Sequence, residues 1–159
     1  MAGPNVFASD WERSIEHGPF ALRGSRVGAA AGARAIGLGV FELPPGARNL
    51  PYHAHLGSEE LLVVLAGCPT LRTPSGEREL AEGEVVAFPP GRGSAHQLIN
   101  ATAAPVRYLM ASTRPGADII EYPDSGKLSA QAGEPGTPDA VAHMLSSADQ
   151  LGYFDGEPV

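Results

Sequence analysis

Short hydrophobic segments alternate with turns rich in glycine and proline along most of this chain. The segments at 35–43, 61–66, 84–88 and 106–112 are rich in apolar residues, and proline-proline-glycine turns follow two of them. Residues 70–81 have the pattern of a hairpin around a Pro-Ser-Gly turn. Because no amphipathic segment of helical length lies between these segments, the pattern predicts about seven or eight short strands in a β-sandwich or barrel.

The two ends of the chain lack this pattern. Residues 1–19 have no strong periodicity, and Trp11 and Ile15 have the spacing of one short helical turn. We therefore expect an irregular N-terminal extension at 1–19, followed by an all-β barrel at 20–122.

A loop and tail are expected at 123–159, where the composition shifts to glycine, proline, alanine and aspartate. One helical turn is predicted around 140–145. After it, Tyr153 and Phe154 either dock on the barrel or belong to a disordered end.

Composition and charge exclude several classes of protein. The 159 residues include 43% hydrophobic residues, which is enough for a packed core, and the formal charge of −7 without a basic run argues against nucleic acid as a partner. The single cysteine, Cys68, excludes an internal disulfide. The first twenty residues do not resemble a signal peptide, and no apolar run is long enough to span a membrane. These features predict a cytoplasmic protein that does not bind membranes.

Three histidines and one glutamate are the candidates for chemistry. His53 and His55 are two residues apart, so on a strand they lie on one face, and Glu60 follows shortly after them. His96 supplies a fourth ligand if antiparallel pairing brings it beside the first group. Such a set around an octahedral divalent ion leaves two positions open for substrate, which is typical of a reactive site. The alternative is that the histidine pair lies on a solvated strand face.

The spacing of these four residues is accompanied by regularly placed turn residues. The chain reads glycine, six residues, His53-x-His55, four residues, Glu60, six residues and glycine; after fifteen residues it reads glycine, five residues, proline-x-glycine, four residues, His96, three residues and asparagine. The turn and hydrogen-bonding positions are Gly46, Gly67, Gly83, Pro89, Gly91 and Asn100. Together, this region resembles the two motifs of the cupin superfamily, and the chain is similar to small single-domain bacterial cupins.

The resemblance implies a double-stranded β-helix barrel of jelly-roll type with a divalent transition metal, iron, manganese, nickel or zinc, held by His53, His55, Glu60 and His96. The sequence departs from the motifs in two loops. Six residues rather than five precede His53, and four rather than two separate the glycine from His96. Since many reactions occur on this barrel, both dioxygenase-type and isomerase-type chemistry on a small oxygen-bearing metabolite fit, as does a non-catalytic binding or sensing module.

Other positions have weaker assignments. Glu59 is the alternative to Glu60, but strand alternation points Glu60 inward together with Leu62 and Val64. Tyr108 and Met110 share one strand face and either line a cavity or fill the core. Further acid or base candidates for the site are Glu42, Arg48, Tyr52 and Tyr108.

Two further features concern partners and the segment EYPDSGK. By analogy with paired cupin barrels we expect a homodimer, formed by addition of 20–23 to a neighbouring barrel or through the tail aromatic residues.

In EYPDSGK, the side chains of Glu121, Asp124 and Lys127 either rim the pocket or belong to a solvated turn, and the turn is favoured.

Overall fold

The computed structural model describes residues 3–133, 137–149, 151–152 and 155. Within these residues nearly all of the regular secondary structure is β-strand, and most of the strands follow the predicted segments. One four-residue helix, α1, and one short 3-10 helix, Arg92–Ser94, interrupt the strands. In chain order the elements are β1 (Arg13–His17), β2 (Phe20–Ser25), α1 (Val27–Ala30), β3 (Ile36–Leu43), β4 (Ala54–His55), β5 (Glu60–Ala66), β6 (Thr70–Thr73), β7 (Gly76–Glu79), β8 (Val85–Phe88), β9 (Gln97–Ile99), β10 (Val106–Thr113), β11 (Ala117–Tyr122), β12 (Lys127–Ala132) and β13 (Val141–Ser146).

The strands form two opposed layers. One layer is a six-stranded antiparallel sheet in the order β1-β2-β3-β10-β5-β8. The other contains a four-stranded sheet, β13-β12-β11-β4, and a three-stranded sheet, β7-β6-β9. An isolated antiparallel bridge between His53 and His96 joins these two smaller sheets. The described architecture is the jelly-roll barrel of the cupin fold, as the sequence predicted.

The hydrophobic core lies between the two layers. Along β5, Leu62 and Val64 are almost fully buried whereas Leu61 is 40% exposed, which is the alternation that the pleat of a half-buried strand requires. Leu71 and Leu98 contribute from the opposite layer and belong to the same cluster of buried residues. Inward-facing side chains of both layers therefore hold the barrel closed.

Strand β5 ends at a glycine whose backbone is in the left-handed conformation. Gly67 follows this strand directly with a φ of 82°, a left-handed conformation that other residues adopt only with strain. A Cβ atom there would lie 3.0 Å from the Val106 side chain. The glycine predicted to close this strand is therefore required by its backbone conformation.

The N-terminal extension is irregular at 3–12, as predicted, but not at 13–17. Where the sequence suggested a helical turn at Trp11 and Ile15, residues Arg13–His17 form strand β1, which pairs antiparallel with β2. Ile15 is the half-buried residue of β1, and its neighbours are exposed. Backbone pairing with β2, rather than a hydrophobic pattern, holds this strand in place.

The C-terminal segment also differs from its prediction. The expected loop contains β12, and the helical turn predicted around 140–145 is strand β13, which pairs with β12 along its length. All six residues of β13 are exposed. Tyr153 and Phe154, for which docking on the barrel or disorder was predicted, lie outside the described residues.

The predicted dimer edge is largely occupied. Residues 20–23 belong to β2, which pairs with β1 on one side; on the other side Phe20 bridges to Arg48 and Arg23 pairs with β3, so this segment has little free edge to offer a neighbouring barrel. The homodimer itself stays a prediction.

In the part of the chain that the structure describes, no helix has the length and hydrophobicity needed to cross a membrane.

Asn100 connects three backbone segments inside the barrel. Its Nδ2 donates hydrogen bonds to the carbonyl oxygens of Leu43 (2.9 Å) and Ala104 (2.8 Å), and its Oδ1 accepts from the amide and hydroxyl of Thr102. The side chain is fully buried. The predicted structural role of Asn100 is consistent with these contacts.

We expect Asn100→Ala to lower the free energy of unfolding by about 2–3 kcal/mol, because buried backbone groups lose their partners. Urea unfolding followed by circular dichroism measures this change. Asn5→Ala is the control, since Asn5 is exposed, and it should change the value by less than about 0.5 kcal/mol. Equal effects of the two substitutions would contradict the role of Asn100.

Candidate metal centre

His53 and His96 are brought together by direct backbone pairing. The amide of His53 donates to the carbonyl of His96 (3.2 Å), and the amide of His96 donates to the carbonyl of His53 (2.8 Å). Residues directly opposite in an antiparallel pair project their side chains to the same face. The two imidazole rings accordingly lie 4.8 Å apart, centroid to centroid. The antiparallel pairing that the sequence analysis required for His96 is confirmed.

Glu60 reaches the same point from the opposite layer. It begins β5, and its Oε2 lies 3.3 Å from Nε2 of His96. His53, Glu60 and His96 each offer one ligand atom, and these atoms lie within 4.8 Å of one another. The cluster therefore joins the two layers of the barrel through side chains of residues that are distant in sequence.

His55 approaches this cluster from the side. It ends β4, and its Nε2 lies 3.5 Å from Oε2 of Glu60, while its ring is 5.2 Å from that of His53. Its other nitrogen, Nδ1, is hydrogen-bonded to Oδ2 of Asp118 at 2.5 Å. The structure thus brings all four predicted residues to one place, with three forming the compact cluster. Metal coordination by the four residues stays a prediction.

All three imidazoles are oriented by an oxygen acceptor at Nδ1. Nδ1 of His53 donates to the carbonyl of Pro51 (2.8 Å), Nδ1 of His96 donates to the carbonyl of Ser94 (3.0 Å), and the acceptor of His55 is Asp118. With the proton assigned to Nδ1, each Nε2 has its lone pair free. Histidines that ligate metals have this arrangement, because the outer hydrogen bond fixes the ring and its tautomer.

Asp118 is a site residue that the sequence analysis did not identify. Besides its contact with His55, its Oδ1 accepts from the amide of Gly57 (2.8 Å) and its Oδ2 accepts from the hydroxyl of Ser58 (3.0 Å). Burial opposes its ionisation, but the hydrogen bonds from His55, Gly57 and Ser58 outweigh it and hold the pKa of Asp118 below its usual value. Asp118 therefore presents a carboxylate to His55.

The electrostatic environment keeps the cluster ready to bind a cation. Burial, with the nearby His96, lowers the pKa of His53 to about 4, so its imidazole is neutral at neutral pH. Burial alone would raise the pKa of Glu60, but the neighbouring imidazoles of His96 and His55 lower it. Neutral imidazole and ionised carboxylate are the forms that ligate metals.

The longer loop before His96 is closed by its own hydrogen bonds. The hydroxyl of Ser94 donates to the carbonyls of Pro89 and Gly91, and the 3-10 helix fills the loop. The ring of Phe88 stacks on that of His96 with centroids 3.8 Å apart. The additional residues are accommodated in the loop, and His96 is aimed at the cluster.

The cluster opens into a cavity of about 610 Å³. Tyr108 and Met110 line it from β10 and also pack in the hydrophobic core, so both predicted alternatives hold for this face. Tyr122 lies opposite, with its ring 6.1 Å from that of His53. The cavity is large enough for a small metabolite, and its wall contains all four candidate ligands.

Strand alternation correctly separates Glu60 from Glu59. Glu59 is exposed, and Leu62 and Val64 are buried as predicted. Of the other acid or base candidates, Tyr108 lies in the cavity wall. The wall residues that the structure describes do not include Glu42, Arg48 and Tyr52.

The segment EYPDSGK divides between the cavity and the surface. Glu121 pairs with Arg92 (2.6 Å), and Asp124 forms a bidentate pair with Arg72 (2.7 and 2.8 Å). These two acids therefore belong to surface ion pairs, whereas Lys127 lies in the cavity wall. The preferred prediction of a solvated turn is correct for Asp124, whereas Glu121 is a half-buried residue of β11 and the exposed Lys127 begins β12 at the cavity wall.

The donor set fits a divalent transition metal. Among the described residues, Oε2 of Glu60 and Nε2 of His96 are buried without a hydrogen-bond partner, although they face each other. Buried polar atoms normally have a hydrogen-bond partner. Two neighbouring lone-pair donors without one therefore indicate a site for a cation. Imidazole nitrogen and carboxylate oxygen suit iron, manganese, nickel or zinc.

Residues 39–112 match the family model of the cupin domain. The fold and the motif residues thus define a β-barrel module with a His–Glu–His cluster that fits a metal ion. The chain therefore contains a cupin domain at 39–112 and has the fold of cupin structures. No curated protein matches the sequence.

Solved structures share this fold. A sugar phosphate isomerase of the cupin superfamily from Silicibacter pomeroyi is 26% identical, with a TM-score of 0.73 over 80% of this chain and 78% of that one. A provisional sugar phosphate isomerase from Acidithiobacillus ferrooxidans is 24% identical, with a TM-score of 0.79 over 92% and 90% of the two chains. The polyketide cyclase RemF from Streptomyces resistomycificus is 24% identical, with a TM-score of 0.57 over 70% and 80%. The last two resemblances concern the fold.

We expect the purified chain to bind one divalent metal ion and His96→Ala to weaken this binding by more than about 100-fold, because a direct ligand is lost. Isothermal titration with zinc and elemental analysis measure affinity and stoichiometry. His143→Ala is the matched control, since His143 lies on the exposed strand β13. Unchanged zinc affinity in His96→Ala would contradict the assignment.

Asp118→Asn should lower zinc affinity by about 10–100-fold, because His55 loses the carboxylate that orients it. Asp124→Asn is the control, as it removes the same charge from a surface ion pair. Long-range ¹H–¹⁵N spectra should show a changed His55 tautomer population in Asp118→Asn alone. Wild-type affinity together with an unchanged His55 signal would refute the positioning role of Asp118.

Proposed function

We propose that this protein is a metal-dependent cupin enzyme that binds a small oxygen-bearing metabolite beside His53, His55, Glu60 and His96 and isomerises it. The observation that carries the proposal is the pair of buried, unpartnered atoms, Oε2 of Glu60 and Nε2 of His96, at the wall of a metabolite-sized cavity. A purely structural polar cluster would satisfy its own hydrogen bonds. We place this activity in the cytoplasm, as the sequence predicts.

Each residue of the site has a separate task in this proposal. His53, His96 and Glu60 hold the ion from both layers of the barrel, and His55, fixed by Asp118, completes the set. When bound, the metal supplies a Lewis acid that polarises a carbonyl or hydroxyl oxygen of the substrate. Four protein ligands leave open positions on an octahedral ion, which distinguishes a reactive site from a closed structural one.

Two tyrosines are suited to orienting the substrate. Burial raises the pKa of Tyr108 and of Tyr122 above the ordinary value, so both keep their hydroxyl protons at neutral pH. Both rings line the cavity. A protonated phenol donates a hydrogen bond to an oxygen of the substrate and does not compete as an anion for the metal.

The apolar part of the wall excludes water from the reacting atoms. Ile15, Leu22, Phe41 and Met110 all line the cavity. Exclusion of water strengthens the electrostatic contacts of the site and protects reactive species from hydrolysis. The cavity favours a small molecule over a macromolecular partner.

The choice of isomerase-type over dioxygenase-type chemistry is supported by the resemblance to the Silicibacter pomeroyi sugar phosphate isomerase, which covers most of both chains. Dioxygenase-type chemistry uses the same donor set and remains the second candidate of the same site. The two reactions differ in whether oxygen is consumed. This difference makes them separable in one assay series.

The test uses the metal-reconstituted protein and a panel of aldoses, ketoses and their phosphates, followed by NMR, together with an oxygen electrode and a panel of diketones, thiols and keto acids. We expect conversion between isomers without oxygen uptake, and loss of at least about 100-fold of the rate in His96→Ala. His143→Ala should retain the rate. Oxygen uptake would instead favour a dioxygenase, and tight binding without any product would favour the binding or sensing module.

A further inference from the structure

The cavity wall carries a charge opposite to that of the whole chain. The sequence has 18 Asp and Glu against 11 Lys and Arg, for a formal charge of −7. Among the described residues that line the cavity, Glu60 is the one acidic residue. The basic residues of the wall are Arg13, Arg26, Arg114 and Lys127. Since Glu60 belongs to the metal cluster, the remaining charged wall is entirely cationic.

Lys127 is an exposed residue of the cavity wall beside Tyr122. It lies opposite Tyr122 in the pairing of β11 with β12, and its Nζ is 5.7 Å from the centre of the Tyr122 ring. The same ring lies 6.1 Å from that of His53. Among the described residues, no carboxylate forms an ion pair with Lys127. The ring of Tyr122 therefore positions the ammonium group, which is available to pair with an anion.

Arg13 has the same arrangement on the other side of the cavity. Its guanidinium lies 5.4 Å from the centre of the Phe41 ring, and this ring stacks on that of Tyr108 at 5.2 Å. No described acid pairs with Arg13 either. The Phe41 ring occupies a slot between Gly24 and Gly39, where an added Cβ atom would lie 2.5 and 2.6 Å from ring atoms. The backbone thus fixes the ring on which Arg13 rests.

Arg26 adds a third cation that is loosely held. Its described ion-pair partner is Glu12 at 3.8 Å, and the Arg26 side chain is 73% exposed. An exposed pair at this distance contributes little and exchanges its partner easily.

We infer that the cavity recognises a small molecule with an anionic group, a phosphate or a carboxylate, which is attracted by the cations Lys127 and Arg13 of the two facing layers while an oxygen of the same molecule faces the histidine cluster. This inference rests on the proposed function and specifies its substrate class. A neutral metabolite would leave both exposed cations of the wall to the solvent. An anion pairs with them through charge-assisted hydrogen bonds, which are among the strongest in proteins.

The local field matters because the rest of the surface repels anions. A cleft lined by charges of one sign focuses the field and raises the local concentration of ligands of the opposite sign. Anion affinity should therefore fall as the ionic strength rises.

The test compares three six-carbon probes, glucose 6-phosphate, gluconate and glucose, by NMR titration of the metal-free and zinc-loaded protein. We expect at least one anionic probe to bind about tenfold more tightly than glucose. The two anions distinguish phosphate from carboxylate recognition. The amide signals that shift should include those of β12 and β1.

Lys127→Gln and Arg13→Gln should each weaken binding of the anionic probe by about five- to tenfold and leave glucose unaffected. Arg23→Gln is the matched control, because Arg23 is an exposed arginine of β2 outside the cavity wall. Equal affinity for the three probes, including an absence of binding by all of them, overturns the inference. So does an equal response of Lys127→Gln and Arg23→Gln.

Zinc titration of the same variants separates this inference from the proposed function. Zinc affinity should be unchanged in Lys127→Gln and Arg13→Gln. Zinc binding without charge discrimination among the probes refutes the anion inference alone. Anion binding by a chain that never binds zinc supports the cationic wall and refutes the metal-dependent function.

Discussion

The pairing of His53 with His96 is the constraint on which the candidate site depends. These two residues exchange both backbone hydrogen bonds and thereby join two sheets of the same layer. Their side chains are consequently forced to one face, towards the facing layer that supplies Glu60. The ligand set therefore exists when the barrel is closed and cannot be assembled from a local segment. Formation of the candidate site is therefore linked to folding through the backbone bridge between these two histidines.

The barrel strands were predictable because their stability comes from burial, which leaves an alternating hydrophobic pattern and fixed turn residues. The terminal strands were not. In β1 one residue, Ile15, is half-buried, and in β13 every residue is exposed. Backbone hydrogen bonds to β2 and β12 hold these two strands, and such bonds require no particular side-chain sequence. The sequence pattern at the ends therefore resembles that of a loop.

The residues of the site likewise divide into those that the sequence predicts and those that it does not. The four ligand candidates were predictable because their spacing follows strand geometry and turn lengths. Asp118 was not, since its approach to His55 depends on the pairing of β11 with β4, and β4 has only two residues. Lys127 was misplaced for a related reason. Once β12 is recognised as a strand, its first residue lies opposite Tyr122 and shares the face that lines the cavity.

Gly24 and Gly39 have a consequence beyond packing. They leave room for the aromatic ring under Arg13, so two positions without side chains determine where one positive charge stands. A single methyl group at either position would force the Phe41 ring to shift, and with it the guanidinium that rests on the ring. Replacing either glycine is therefore a way to alter the pattern of charge in the cavity without substituting any of the four candidate ligands.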